Sequence, residues 1–192
     1  VSADAARGAG TDAFHDRLRA FEGKTAGPAE VAPDEVNQAM IRHMCEALGD
    51  ENPVYVDPEA AARSVHGEVV APPTMLQVWT MRGLRPRPAD DGGNARDDLY
   101  AMLDDAGFTG VVATDCRQTY HREVHLGDRL RVVTTVESVS PEKHTALGIG
   151  HFVTTRMSYL DAAGEPVGDM LFRVLKFRPG TGRVAPSGTG SA

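Results

Sequence analysis

Two hydrophobic periods divide this chain. In its first half, apolar residues recur at helical spacing. Phe14, Leu18 and Phe21 form a stripe that Thr11 can cap and Gly23 can stop. Residues 23–33 read as a loop. Asp34, just after Pro33, then signals a stronger helix with Val36, Met40, Met44 and Leu48 four residues apart and Ile41 and Cys45 beside them. Gly49 can turn the chain out of it, and Asp57–Pro58 opens a short helix over 58–64. After a loop, Met75, Leu76, Val78, Trp79, Met81 and Leu84 crowd the segment 74–84. They occupy so much of a helical circumference that the pattern predicts a buried helix. Residues 85–98 read as a polar loop, and a weaker helix around Leu99, Tyr100, Met102 and Leu103 ends near Gly107.

Beyond Gly107 the period changes to two. In 109–121, Gly110, Val112, Thr114, Cys116, Gln118 and Tyr120 fall on one predicted face. Leu130, Val132, Thr134 and Val136 alternate with Arg131, Val133, Thr135 and Glu137. Leu147, Ile149, His151, Val153, Thr155, Met157 and Tyr159 share a face, 161–166 is a turn, and a last strand runs over 167–177. With no helix predicted between successive strands, a doubly wound sheet is excluded. The expected class is α+β: a curved antiparallel sheet wrapped around a central buried helix.

A length of 192 residues suits one domain over 1–178, with a flexible tail or linker at 179–192 rich in Gly, Ser and Pro. Such a chain can form a core without disulfide or metal staples. Cys45 and Cys116, in apolar-patterned segments and without a CxxC partner, are expected to be buried thiols. Neither a signal-peptide pattern nor a long apolar run stands out, so a cytoplasmic location is expected. Acidic residues outnumber basic ones by 27 to 20, a net charge of −7, which disfavours tracking a nucleic-acid backbone but leaves room for a local basic mouth.

Candidate chemistry centres on ALGDENPVYVDPEAA, residues 47–61. Asp50 and Asn52 sit just beyond a helix end, between Gly49 and Pro53. Such side chains either bond local backbone or, for Asp50, point into a cleft and order a water. Adding water across a double bond needs one group to take a proton and another to deliver one, which a single carboxylate does not readily supply. His66 reads as structural or solvent-facing. The HxExH string of His121, Glu123 and His125 lacks the helix-borne HExxH spacing of a zinc protease, and no metal site is expected. Gly148 and Gly150, inside a strand pattern, permit a bulge or widen a pocket. Trp79 and Met81 are core residues first and candidate pocket lining second.

Residues 50–55, DENPVY, resemble the GDxNPxH motif of the MaoC-like enoyl-CoA hydratases. The resemblance continues through VVAPPTMLQVWTM, DDAGFTGVVAT, QTYHREVHLGD, KHTALGIGHFVTTRMSY and FRVLKFRPG, over roughly 35–180. It is strongest to the first domain of the large subunit of actinobacterial steroid side-chain hydratases, and implies a hot-dog fold. Asp50 matches the family's catalytic aspartate, Asn52 its asparagine and Pro53 its proline. Tyr55 stands where the catalytic histidine belongs, so the motif is degenerate. The resemblance implies that a small MaoC-like partner supplies the working aspartate and histidine, in a heterodimer doubled to four chains. It also implies an OB-like second domain that would contact a thiolase- or aldolase-type protein. Coenzyme A enters as part of the substrate, with no redox cofactor. Pro73, Thr74, Trp79, Gly148 and Gly150 become candidate substrate-lining residues, the free amides near Pro73 and Thr74 facing a thioester oxygen. Two other readings stay open: a self-sufficient hydratase or thioesterase using Asp50, and a non-enzymatic acyl-thioester-binding scaffold.

Overall fold

The computed structural model describes residues 12–83 and 94–182. Residues 12–19 form helix α1; its expected cap Thr11, the expected helix end Leu84 and residues 183–192 of the tail lie outside the described residues. Strand β1 (Glu30–Val31) precedes helix α2 (Gln38–Leu48). The cap of α2 is Asn37, whose side chain accepts Met40 N at 3.0 Å, rather than the expected Asp34. The backbone of Val36 explains the later start. Its N–H donates to Asp128 O at 2.8 Å and its C=O accepts from Gly127 N at 2.9 Å, so both groups are already engaged outside the helix. Gly49 ends α2 in the left-handed region at φ 67°.

Two short helices follow, α3 (Pro53–Val56) and α4 (Pro58–Ala62), the first capped by Asn52 and the second by Asp57. Helix α5 (Ala95–Asp105) starts at Asn94, inside the expected 85–98 loop. Then come β2 (Gly110–Tyr120), β3 (Arg131–Val139), β4 (Lys143–His144), β5 (Ile149–Leu160) and β6 (Pro166–Arg178). The sheet order is β1-β3-β5-β6-β2, with β4 on β5 and every pairing antiparallel.

This is an α+β fold of hot-dog-like topology, but the expected sheet wrapped around a central buried helix does not form. The sheet is open, and no long central helix crosses its face among the described residues. Where the helix was expected, two single 3₁₀ turns occur, Pro73–Met75 and Val78–Thr80. Pro73 removes a donor at the start, and β-branched Thr74, Val78 and Thr80 with Trp79 weaken helical propagation. Met81 then turns extended (ψ 124°), and Gly83 has φ 70°. Met75, Leu76, Trp79 and Thr80 still bury, whereas Met81 is 59% exposed. The apolar pattern therefore reported partial burial rather than a helix enclosed on all sides.

A bulge corrects the expected face of β2. The register shifts between Ala113 and Asp115, so Cys116, Gln118 and Tyr120 lie opposite Phe172, Met170 and Gly168 on the helix-covered side. Gly110 and Val112 lie opposite Phe177 and Leu175, on the other side. Cys116 is exposed, contrary to expectation, because β2 is an edge strand and the described residues that cover the rest of this side do not reach it; Cys45 is buried.

Two apolar clusters fill the helix-covered side. The first joins α2 and the 69–79 segment to Leu130, Val132, Tyr159, Val167 and Met170. The second joins Leu18, Leu99, Leu103 and Phe108 to Val136, Val139, Val153 and Val174. His151 lies fully buried beside this second cluster, its Nδ1 2.9 Å from Ser140 O and its Nε2 without a partner. Burial pushes its imidazole below the usual histidine range, against the pull of the Ser140 bond and Glu142, with His15 and Arg178 adding to the fall. The unfolded ring protonates near pH 6.5, and the folded ring only at lower pH. Acid in that window favours the unfolded chain. Urea midpoints are expected to drop between pH 7.5 and 5.5, and to drop less in His151→Phe; equal drops in the two proteins would refute the assignment.

Among the described residues, no helix is long and apolar enough to cross a membrane.

Candidate functional site

The site is built where α2 hands over to α3. Gly49 releases the chain, and Asp50 Oδ1 accepts Asn52 N at 3.0 Å while Asn52 Oδ1 accepts Val54 N at 3.3 Å. These bonds are the local-backbone arrangement that short polar side chains favour after a helix. They also start α3, which carries Tyr55. Gln38 Nε2 donates to Tyr55 O at 2.9 Å and ties α3 back to α2. Burial, then the Asp50 carboxylate, push the Tyr55 phenol above its ordinary value, with the Asn52 side chain working the other way. At neutral pH Tyr55 is an uncharged phenol.

Tyr55 forms one wall of a cleft of about 200 Å³. Val70, Ala71, Pro73 and Leu76 supply an apolar floor, and Tyr120, His121 and Arg122 close the far side. The floor is tied to that side by Ala71 N donating to Val124 O at 2.8 Å. Leu76 seats on β6 because position 168 is glycine: a Cβ there would lie 2.8 Å from Leu76 Cδ2 and 2.8 Å from Thr119 O. Asp50 opens instead on a more open hollow of about 510 Å³ beside Arg42, Cys45 and Val56. The Asp50 carboxylate thus acts on the Tyr55 phenol, but the two side chains face different spaces.

Sequence reading missed Arg122 and the aspartates around the cleft's polar rim, and named His121 only as part of the HxExH string. Arg122 pairs with both Asp128 oxygens at 2.7 and 3.2 Å and with Asp161 at 3.2 Å. The Asp128 hydrogen bond raises the guanidinium further above its usual value and outweighs burial. This clamp joins two polar turns, LGD and DAAGEP, whose aspartates sequence alone reads as ordinary turn residues. His121 Nε2 lies 2.9 Å from Asp169 Oδ2, and Ser158 Oγ donates to Asp169 Oδ1 at 2.6 Å. Although burial works upward on Asp169, the Ser158 and His121 bonds bring its carboxyl below the ordinary range.

The HxExH string does not converge. His121 faces Asp169, Glu123 lies 3.4 Å from His66 Nδ1, and His125 Nδ1 lies 2.9 Å from Glu68. Among the described residues, no three histidine, cysteine or acidic side chains gather as a metal site. His66, read as structural or solvent-facing, is half-buried and lines the cleft.

Of the candidate lining residues, Pro73 borders the cleft and Thr74 is exposed beside it. The amides of Met75 and Leu76 bond within the 3₁₀ turn, to Pro72 O and Pro73 O. Trp79 packs in the first cluster at 3% exposure, its Nε1 without a partner. Gly148 and Gly150 lie at the far end of β5 and do not border the cleft. A Cβ at Gly148 would sit 2.4 Å from Arg178 O, and one at Gly150 2.2 Å from Lys176 O, so both permit close strand packing there.

Residues 24–170 match the family described as FAS1-like, dehydratase domain region. The chain belongs to this group of MaoC-like hydratases. It is 47% identical over 170 residues to a probable enoyl-CoA hydratase alpha subunit of Thermomonospora curvata, covering 86% of this chain and 52% of that protein. It is 45% identical over 159 residues to the 3-oxo-4,17-pregnadiene-20-carboxyl-CoA hydratase alpha subunit of Mycobacterium tuberculosis, covering 81% of this chain and 50% of that one. The chain thus spans about half the length of these curated relatives. A chain of the ChsH1-ChsH2 complex from M. tuberculosis matches with a TM-score of 0.78 at 37% identity, over 93% of this chain and 95% of that one.

Proposed function

We propose that this chain is the non-catalytic subunit of a two-protein enoyl-CoA hydratase acting on a bulky ring-system acyl thioester. The observation that carries this reading is Tyr55. A neutral phenol lines the cleft where the motif calls for imidazole, and it is a poor proton shuttle at neutral pH. The similarity to hydratase alpha subunits and to a chain of a two-protein complex supports it. Asp50, Asn52 and Tyr55 are then a retained but degenerate motif, Pro73, Thr74 and Trp79 belong to the segment that floors the cleft, and Gly148 and Gly150 serve strand packing away from it.

In the proposed reaction, water adds across the C2–C3 double bond of the enoyl thioester. The water oxygen bonds to C3 as its proton passes to the partner's base, and the π pair takes a proton at C2, leaving a 3-hydroxyacyl thioester. A small MaoC-like partner supplies the aspartate and histidine, and the heterodimer doubles to four chains. Coenzyme A is the carrier. Strand β2 supports a pairing role: its outer edge meets no other strand among the described residues, and Val111 and Tyr120 stand exposed on its inner face. In this reading residues 1–178 form one unit, 179–192 a linker, and the assembly works in the cytoplasm.

The test mixes separately purified proteins. Neither this chain nor its small partner alone is expected to hydrate the enoyl thioester, while the mixture does so as a complex that co-sediments. Turnover by this chain alone would favour a self-sufficient enzyme, and a complex that binds thioester without turnover would favour a scaffold.

A further inference from the structure

The sheet ends in two unlike edges. On one side β1 contributes only two residues, a short edge of the kind that discourages pairing. On the other, β2 runs for 11 residues with neither lysine nor proline to blunt it. His121 N donates to Val167 O at 2.9 Å, so that opposed pair is hydrogen-bonded. In an antiparallel ladder such pairs alternate with pairs whose backbone groups turn away from each other. Tyr120, Gln118 and Cys116, opposite Gly168, Met170 and Phe172, therefore turn their N–H and C=O groups to the outer edge.

The side chains of β2 select one register for a second copy. Its charged residues are Asp115 and Arg117 alone, on the outer face opposite Arg173 and Leu171. Antiparallel self-pairing centred on Asp115 sets that carboxylate against its own copy, and pairing centred on Arg117 does the same with two guanidinium groups. Like charges directly opposite destabilise a strand pair. Pairing centred on Cys116 instead sets Asp115 against Arg117 on both sides of the two-fold axis. The bulge decides what meets farther out. With one extra residue between Ala113 and Asp115, inner face meets inner face when Gln118 lies opposite Ala113 and Tyr120 opposite Val111. Val111, 59% exposed, and Tyr120, 43% exposed, are the large hydrophobic side chains that β2 leaves open, and this register lays each on the other.

We propose that this chain, without its small partner, pairs with a second copy through β2 in the register centred on Cys116, and that this homodimer is a closed reserve form which the small partner must open. The first half stands on the strand itself. The second rests on the hydratase reading, in which the same edge receives the partner, so the two pairings exclude each other.

Sedimentation equilibrium of the purified chain alone is expected to show a dimer. Arg117→Asp and Asp115→Arg each set like charges opposite at two places and are expected to weaken it about tenfold or more. An equimolar mixture of these two variants restores opposite charges at both places and is expected to pair as tightly as wild type. A short bis-maleimide is expected to join wild-type copies through the exposed Cys116 and to leave Cys116→Ser copies apart, since Cys45 is buried. A monomeric wild-type chain, a dimer indifferent to both charge reversals, or reversals that mixing does not repair overturns the proposed pairing. Adding the small partner is expected to replace the homodimer with the mixed complex, and a homodimer that binds the partner while staying intact overturns the reserve role. Hydration is read separately. An active mixed complex beside a monomeric chain removes this pairing alone, and an intact homodimer beside an inactive mixture removes the hydratase reading alone.

Discussion

Replacing the aspartate or the histidine of the small partner's motif is expected to lower hydration by the mixed complex on the order of 10²-fold or more, the scale of lost general acid–base chemistry. Water cannot attack C3 efficiently without a group to take its proton, and C2 needs a proton delivered in return. This chain places no such pair at its motif. Tyr55 is a phenol raised above its ordinary value, and Asp50 is engaged with the Asn52 amide and opens on a different hollow. The measurement is the loss of enoyl absorbance, with assembly of each variant verified by sedimentation. Losses of only a few fold would place the proton-transfer groups elsewhere.

Trp79→Ala is expected to cost about 3–5 kcal/mol of folding stability, the range for deleting a large aromatic side chain from a core. Trp79 is 3% exposed and packs in the first cluster with Met75, Leu76 and Val132. A 3₁₀ turn has little backbone stability of its own, so the 73–80 segment depends on such side chains to stay on the sheet. Trp79→Phe should cost much less, because it keeps an aromatic ring and deletes an Nε1 that has no partner. Urea unfolding of the purified protein decides the matter, and a Trp79→Ala midpoint equal to wild type would show that the indole is not a packing element.

The long strands were legible because alternation over nine or more residues is hard to mistake: β3, β5 and β6 fall within a few residues of their expected limits. The caps at Asp57 and Gly49 were legible for the same local reason. The 74–84 segment was not, because a short apolar run also satisfies 3₁₀ turns, and Met81 is solvent-facing rather than buried. Periodicity could not place the β2 bulge, since the extra residue changes the face without interrupting the polar and apolar mixture. It also could not show that Cys116 stays exposed, because exposure there depends on what covers an edge strand. At the site, DENPVY located the motif, but the Arg122–Asp161 and His121–Asp169 contacts join segments 39 and 48 residues apart. No local pattern encodes them.

The central claim is that this chain assembles and shapes the site without performing the proton transfers. It is tested most directly by the hydration rate of a mixed complex in which this chain alone carries both Asp50→Ala and Tyr55→Phe. The account predicts an intact assembly whose turnover stays within about tenfold of wild type, a barrier change below about 1.4 kcal/mol. Abolished turnover in an assembly of wild-type composition and mass would contradict it, and would assign part of the catalytic machinery to this chain.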